Sequence, residues 1–428
     1  SSDGAFQCFV LARARVVRIF QSKIPAVAHF CSRPEHCLGI MRFSVSHMCK
    51  GRSGRCGEML AVKGDPDAEP FLTPTCLLYT QAGSVPHLTC DMLHKIENVG
   101  RHPALFPLPP LVSLSSSVQE FAAGISKFTG MPMHAAFIRI QDPMKSTPSG
   151  FNDKAGVSVW DQGGRVLLNA QSFTRIMESF KPACYQALCD SDTPKDATRK
   201  RLQRAVERTT SLLDQCIASK SASSSLTDCS ILGTIVGGYS RDHRIASVKE
   251  IVKRDVDGYV IEGFHVDGPA SRCLKYEDVR DLMEEVISHL PEDKPRFMHG
   301  ILRPEFILEA AINGVDIFDT AFANAATDDG LALSFGCSCA EDLLVMLEGN
   351  LLEHQLALDM KDCRYRDQFV PLLEQCTCYA CKHFTRAYIN HLLSTGEMLA
   401  YVLLNLHNIH HFLKLFCTIR KFLRELYS

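Results

Sequence analysis

The sequence is first narrowed by what it lacks. No uninterrupted apolar run reaches the roughly 18 residues that read as a membrane-spanning helix. Net charge is only −2 over 428 residues, which argues against a protein that holds nucleic acid mainly by charge, while leaving room for a local basic face. The cysteines have no regular spacing outside one short segment, their number, 19, is odd, and no clean apolar leader core accompanies them. A disulfide framework is therefore set aside in favour of free thiols in a reducing compartment. What is present is ordinary for a globular protein: 46% apolar and 22% charged residues. The length suits two average domains, or one large α/β domain with an appendage.

Residues 1–40 stand apart. The stretch "FVLARARVVRIFQSKIPAVAHF" carries Arg13, Arg15, Arg18 and Lys23, with Asp3 the single acid ahead of it. That is the charge and amphipathicity of a mitochondrial transit peptide. The alternative, and the expectation taken forward, is an extension with no part in a fold that begins at Met41.

From Met41 to about residue 112, short apolar runs alternate with Gly and Pro, as strands and loops do. "TCLLYT" (75–80) reads as a buried strand, and "PALFPLPPL" (103–111) as irregular, because proline removes donors and fixes φ. A helix is expected over 115–128 with Ser117 as its N-cap, then a hairpin in "VSVWDQGGRVLL" around Gly163 and Gly164, a helix in "NAQSFTRIMESF" and a strand in "ACYQALCD". A long helix over 196–217 places Leu202, Ala205, Leu212 and Cys216 on one face. Strand–helix units then recur through "SILGTIVGG", "GYVIEGF", "PRFMHGI" and "VDIFDTAF". Their repetition predicts a parallel sheet with crossover helices, and their number favours a (β/α)8 TIM-type barrel. The expected organisation is a barrel with N-terminal strands over 41–335, a partly helical linker over 336–365, and a zinc subdomain with C-terminal helices over 366–428. Within the last, "YVLLNLHNIHHFLKLF" is apolar but interrupted by Asn and His at helical spacing, and reads as a buried helix. Barrel chemistry sits at the C-terminal ends of strands, here Asp190, Gly237–Gly238, Glu262–Gly263, His299–Gly300 and Asp319.

The short exception to the scattered cysteines is "CTCYACKHF" (376–384), a Cys-x-Cys-x-x-Cys of Cys376, Cys378 and Cys381. Three thiolates without a cation repel one another, whereas Zn²⁺ deprotonates and neutralises them. Three sulfurs and one imidazole complete a tetrahedral zinc shell. Spacing leaves the imidazole open among His383, His391, His407, His410 and His411. The competing explanation is chance clustering in a cysteine-rich chain.

Together with 25 intervening residues and His407, that cluster resembles the zinc signature of the tRNA-guanine transglycosylases, the queuine tRNA-ribosyltransferase family. "GGYSRDHRIASVKEI", "RFMHGILRPEFILEAAINGVDIFD" and "TRAYINHLL" occur in the family's order, and the likeness spans roughly residues 70–420. "CLLYTQAGSVPHLT", "VSVWDQGGRVLL", "LPEDKPR" and "CKHFTRAYINHLL" look like the accessory rather than the catalytic chains of the eukaryotic enzymes. The resemblance implies a TIM barrel with a zinc subdomain, Cys376, Cys378, Cys381 and His407 holding one structural Zn²⁺. It implies exchange of guanine for queuine at the tRNA wobble position, through attack of an aspartate on the ribose anomeric carbon. Asp319 falls on the nucleophile position, Asp190 where an aspartate meets the base edge, and Gly237 and Gly238 on the glycines that approach the base.

The departures bear on activity. No "DSGGFQ" occurs between residues 87 and 151, and "DGAFQ" (3–7) lies ahead of the first barrel strand. Where catalytic chains continue with a Pro-Thr-Arg segment, this one has "TAFANAATDDGLAL", whose Asp328 and Asp329 repel a polyanion. Catalytic residues that act as a unit lose nearly all activity when one is missing. The expected role is a non-catalytic subunit in a heterodimer with the catalytic chain, with tRNA bound in the complex and self-pairing as the assembly of the chain alone. Location would be cytoplasmic, with peripheral attachment to the mitochondrial outer membrane. The alternatives are a transglycosylase using Asp319, or a zinc-stabilised scaffold unrelated to tRNA. The basic run Lys195, Arg199, Lys200, Arg201, Arg204 and Arg208 is either a solvated helix face or a tRNA contact.

Overall fold

A computed structural model describes residues 41–49, 53–60, 70–97, 99–348 and 353–426. The extension 1–40, with the "DGAFQ" it contains, lies outside the described residues. Three antiparallel strands come first, β1 (Arg42–Met48), β2 (Arg55–Leu60) and β3 (Phe71–Thr73). Then eight strands close into a parallel barrel: β4 (Thr75–Tyr79), β5 (Ala104–Pro107), β6 (Ala136–Arg139), β9 (Cys184–Gln186), β10 (Ser230–Ile235), β11 (Gly258–Ile261), β12 (Arg296–Phe297) and β13 (Ile317–Asp319). The closing pair is β13 with β4, Asp319 opposite Leu77. Between β6 and β9 the chain inserts the predicted hairpin, β7 (Val157–Asp161) with β8 (Gly164–Leu168).

Every barrel strand sends one side chain into a single inner cluster: Leu77, Leu105, Phe137, Cys184, Leu232, Val260, Phe297 and Ile317. Met59 of β2 joins them, so the barrel is a packed core and not a pore. The opposite faces of the strands pack on the crossover helices. Burial on both faces is why these strands read as apolar runs rather than alternating ones. The N-terminal ribbon is fastened to the barrel by Arg55, whose Nε and Nη2 donate to the two oxygens of Asp316 at 2.9 and 2.7 Å. Both side chains are fully buried.

Two sequence expectations fail for instructive reasons. "PALFPLPPL" is not irregular: Ala104–Pro107 is a barrel strand, and Pro109–Leu114 is a 3₁₀ helix. Ala104 and Leu108 donate toward β6, so the alternation turns Pro107 toward β4, which has ended at Tyr79. The missing N–H falls where no ladder partner stands. The helix expected over 115–128 begins at Ser115, as the 3₁₀ turn runs straight into it, so Ser117 is not its cap. It stops at Phe121, where Ala122 turns left-handed (φ 62°), and resumes at Ile125–Phe128. The long helix spans Arg199–Ala222 and buries Leu202, Ala205, Leu212 and Cys216 as its periodicity required.

After β13, helix Ala321–Asp328 leads to β14 (Leu331–Leu333), which pairs antiparallel with β15 (Ala357–Asp359). Helix Ala340–Leu347 lies between them, burying Leu343 and Met346. Helices Tyr379–His383, Arg386–Thr395 and Met398–Leu426 complete the chain. The terminal helix buries Leu403, Ile409, Phe412, Phe416, Ile419 and Leu423. The Asn residues that interrupt its apolar run are partnered: Asn408 Nδ2 donates to Leu331 O and Thr327 Oγ1, both at 2.9 Å, and Leu333 N donates to Asn408 Oδ1 at 2.8 Å. Among the described residues no helix is long and apolar enough to cross a membrane.

Candidate metal centre and barrel mouth

Asp190, Gly237, Gly238, Glu262, Gly263, His299, Gly300 and Asp319 all stand at the C-terminal ends of barrel strands. Their carboxylates are engaged by partners from within the chain. Asp190 is fully buried; Arg201 meets both of its oxygens at 2.7 and 2.9 Å, Arg208 meets one at 3.1 Å, and Asn152 Nδ2 donates at 3.0 Å. The basic run therefore divides. Arg201 and Arg208, two helical turns apart, point inward to this carboxylate. Lys200 and Arg204 are exposed, and Arg199 and Lys195 lie 3.5 and 3.8 Å from Asp242 and Asp278.

Asp319 is buried as well. It accepts from His299 Nδ1 and Gly300 N at 3.1 Å, and from Ala321 N at 2.8 Å. Gly237 and Gly238 turn with φ of 135° and 56°. A Cβ on the first would stand 2.7 Å from Arg244 N, and on the second 2.8 Å from a Leu202 methyl. Close packing within the chain itself thus requires both glycines. Asp328 and Asp329, expected to repel a polyanion, are paired with His87 at 2.9 Å and Arg272 at 2.7 Å.

Sequence reading missed the residues that hold this mouth together. Arg139, the last residue of β6, lies 3.0 Å from Glu262 and 2.9 Å from Asp267. Burial lifts Asp267 to about 7 against the pull of that guanidinium. Glu262, despite burial, is held below the usual carboxylate range by the same group. Arg244 is also buried; it donates to Gly238 O at 2.8 Å and lies 3.5 Å over the Phe264 ring, and burial lowers it to about 9. The only sequence signal was the lone Arg in the apolar strand "AFIRI".

The cysteine cluster differs in kind. Sγ of Cys376, Cys378 and Cys381 lie 3.7, 3.5 and 3.4 Å from Nδ1 of His407, and all four donor atoms are within 4.8 Å of one another. With Zn–S of about 2.3 Å and Zn–N of about 2.0 Å, a tetrahedral shell has a sulfur-to-nitrogen edge of about 3.6 Å. The group has the spacing to hold a metal ion. Local structure explains how. Cys378 is the N-cap of Tyr379–His383, its sulfur accepting from Cys381 N at 3.4 Å, which brings the third thiol round beside the second. His407 Nε2 donates to Leu333 O at 2.9 Å, leaving Nδ1 as the lone pair facing the sulfurs, an orientation typical of ligating histidines.

None of the other candidate imidazoles is grouped with all three sulfurs, although His410 lies beside Cys376. His383 and His391 are exposed, and His411 Nε2 is bonded to Phe335 O. His410 is buried on the same helix, its Nδ1 without a partner. Crowding shows in the protons. Hydrogen bonding with Cys376 and Cys381 pushes the Cys378 thiol far up, and Cys376 is pushed far down by Cys378 and Cys381. His407, although burial pulls it down, is lifted to about 10 by its contacts with the Cys376 and Cys381 sulfurs. A cation replaces such shared protons.

Comparison with known proteins bears on this arrangement. A family profile described as Queuine tRNA-ribosyltransferase matches residues 49–425. The chain is 62% identical over 383 residues to the queuine tRNA-ribosyltransferase accessory subunit 2 of Ixodes scapularis, covering 90% of this chain and 97% of that protein. It is 36% identical over 403 residues to the protein of that name from Gallus gallus, covering 88% and 93%, and 35% identical over 413 residues to that of Xenopus tropicalis, covering 90% and 96%.

Proposed function

Because the chain belongs to the queuine tRNA-ribosyltransferase family, we propose that it is the non-catalytic accessory subunit of a heterodimeric queuine tRNA-ribosyltransferase. It supports the exchange of guanine for queuine at the tRNA wobble position without performing it. The observation that carries this reading is the closed barrel mouth. Asp190 is engaged by two arginines and an asparagine, and Asp319 accepts from one imidazole and two backbone amides. A carboxylate nucleophile needs a lone pair free to reach the anomeric carbon. Asp319 Oδ2 accepts from His299 Nδ1 and Gly300 N and Oδ1 from Ala321 N, so three of its roughly four acceptor positions are taken. Asp190, Gly237 and Gly238 are then remnants of a base-binding turn, kept for packing.

The metal is zinc, held by Cys376, Cys378, Cys381 and His407 as a closed structural shell without an open position. It pins residues 366–396 to the terminal helix and makes a docking lobe. Phe369 and Met398 there are 77% and 81% exposed, accompanied by Val370, Tyr388 and Leu399. Large exposed apolar side chains on one lobe are what partner surfaces carry. The partner is the catalytic subunit, and Lys200 and Arg204 remain free to meet tRNA phosphates within the complex. A cytoplasmic location, with peripheral attachment to the mitochondrial outer membrane, rests on the family likeness alone.

Sedimentation of the purified chain with a catalytic subunit tests the reading. A one-to-one complex that forms with metal present and is lost in Cys378→Ser is expected. Persistence of two separate species, or a complex indifferent to Cys378, overturns it.

A further inference from the structure

A second group of donors lies on the far side of the barrel from its mouth, between the N-terminal ends of the strands and the metal lobe. Cys90 opens the short helix Cys90–Leu93, and His94 follows as its C-cap, so the two side chains project one turn apart on the same face. His134 stands two residues ahead of β6 and is 1% exposed. One donor atom from each of Cys90, His94 and His134 lies within 4.8 Å of the other two. The His94 and His134 rings are nearly parallel, 5.6 Å apart at 19°.

His134 carries the inference. Its Nδ1 is bonded to His102 O at 2.6 Å, which fixes the N–H on that nitrogen and leaves Nε2 with a lone pair. That Nε2 is buried and has no hydrogen-bond partner. A buried polar atom left without a partner destabilises the fold, and His407 is oriented toward its sulfurs by the same device, one ring nitrogen tied to a carbonyl and the other facing the donors.

From this geometry we propose a second metal site, formed by Cys90, His94 and His134, for a zinc-class divalent cation. One thiolate and two imidazoles are a borderline-soft donor set suited to such ions. Three protein ligands leave a fourth position for water, and it opens on the exposed side, at His94. Tetrahedral edges of about 3.6 Å between sulfur and nitrogen and about 3.3 Å between nitrogens require the donors to close by at most about 1.5 Å, a movement the exposed His94 ring can make by rotation.

The site has a structural consequence. The segment bearing Cys90 and His94 continues to Lys95, whose ammonium lies 5.4 Å over the Tyr379 ring, and to Glu97, which meets Lys382 at 3.0 Å and Thr377 at 2.9 Å. Tyr379, Thr377 and Lys382 are interleaved with the first cysteine cluster. A cation at Cys90 therefore ties to the barrel floor the strap on which the metal lobe rests.

Equilibrium titration of the metal-stripped full chain with Zn²⁺ against a chromophoric chelator tests this. Cys90→Ser and His94→Ala alter partly or largely exposed positions and leave folding intact; His134→Gln is the buried counterpart. The expected result is two equivalents in the parent chain, with the second weakened at least tenfold in both Cys90→Ser and His94→Ala while the first is unchanged. One equivalent in the parent chain overturns the proposal, as does a second equivalent whose affinity survives either of those two substitutions, which would be adventitious binding.

Discussion

The barrel mouth and the metal lobe both gather ionisable side chains at buried positions, yet they solve the problem of burial in opposite ways. At the mouth the buried carboxylates are answered from within the chain, Asp190 by Arg201 and Arg208, Glu262 and Asp267 by Arg139, while the buried Arg244 has carbonyl oxygens and the Phe264 ring for partners. At the lobe three sulfurs and an imidazole crowd within 4.8 Å, and His407 is the one group of the four that can carry positive charge. Buried charge is tolerated only when paired or metal-bound. The first region therefore holds its buried carboxylates without help from a ligand. The second has the spacing to hold a metal ion. The same physical rule thus separates a region paired from within from one whose donors suit a metal ion.

The largest effect that sharpens this contrast is metal removal. Structural zinc contributes apparent free energies of about 10–16 kcal/mol in small zinc domains at pH 7, comparable with the whole stability of an average domain. Stripping the ion with a strong chelator, or Cys381→Ser, is expected to unfold residues 366–396 while the barrel persists. Limited proteolysis, followed by mass spectrometry, should then cut first in that span. Cuts spread evenly over barrel and lobe would break the contrast.

The mouth should respond to substitution by losing stability rather than activity. In the double variant Arg201→Ala and Arg208→Ala, the Asp190 carboxylate is left buried with Asn152 alone. Removing the partners of a buried ion costs about 3–5 kcal/mol, read as a lower urea midpoint. Asp319→Asn keeps the shape but weakens acceptance from Gly300 N, Ala321 N and His299, and should cost about 1–3 kcal/mol in the same measurement. Base exchange by a reconstituted complex should be unchanged in that variant. If exchange collapses while stability holds, the mouth is not closed in the sense argued.

The smallest effect concerns pH. Burial lowers His102 from its ordinary 6.5 to about 4, against a hydrogen bond to Cys76 O that raises it. A folded-state value below the unfolded one means protonation favours unfolding. The contribution is present above 6.5 and is lost as pH falls from there toward 4. Between pH 7.5 and 6 the loss is about 1 kcal/mol. Urea midpoints across that range should fall less steeply in His102→Gln.

The barrel was legible because strand–helix alternation is a local signal repeated many times. The three sulfurs were legible because their spacing is local, and Cys378 as an N-cap needs only the next three residues. What escaped reading depends on register. Whether Pro107 can sit in a strand is decided by where β4 ends, 28 residues earlier. The saturation of Asp319 rests on backbone amides at Gly300 and Ala321, which no residue identity announces. Arg201 and Arg208 could have been found: seven residues apart on a helix that follows a strand-end aspartate, they share the face that returns to it. The fourth metal ligand came from family likeness, since five histidines competed and what singles out His407 is the placing of its Nδ1 within 3.4–3.7 Å of all three sulfurs.

The most direct test of the account uses tRNA whose wobble position carries labelled guanine, incubated with free queuine and the purified chain at enzyme excess. The account predicts no release of label by this chain alone, and release when the catalytic subunit is added. Release by the isolated chain, abolished by Asp319→Asn, would contradict it.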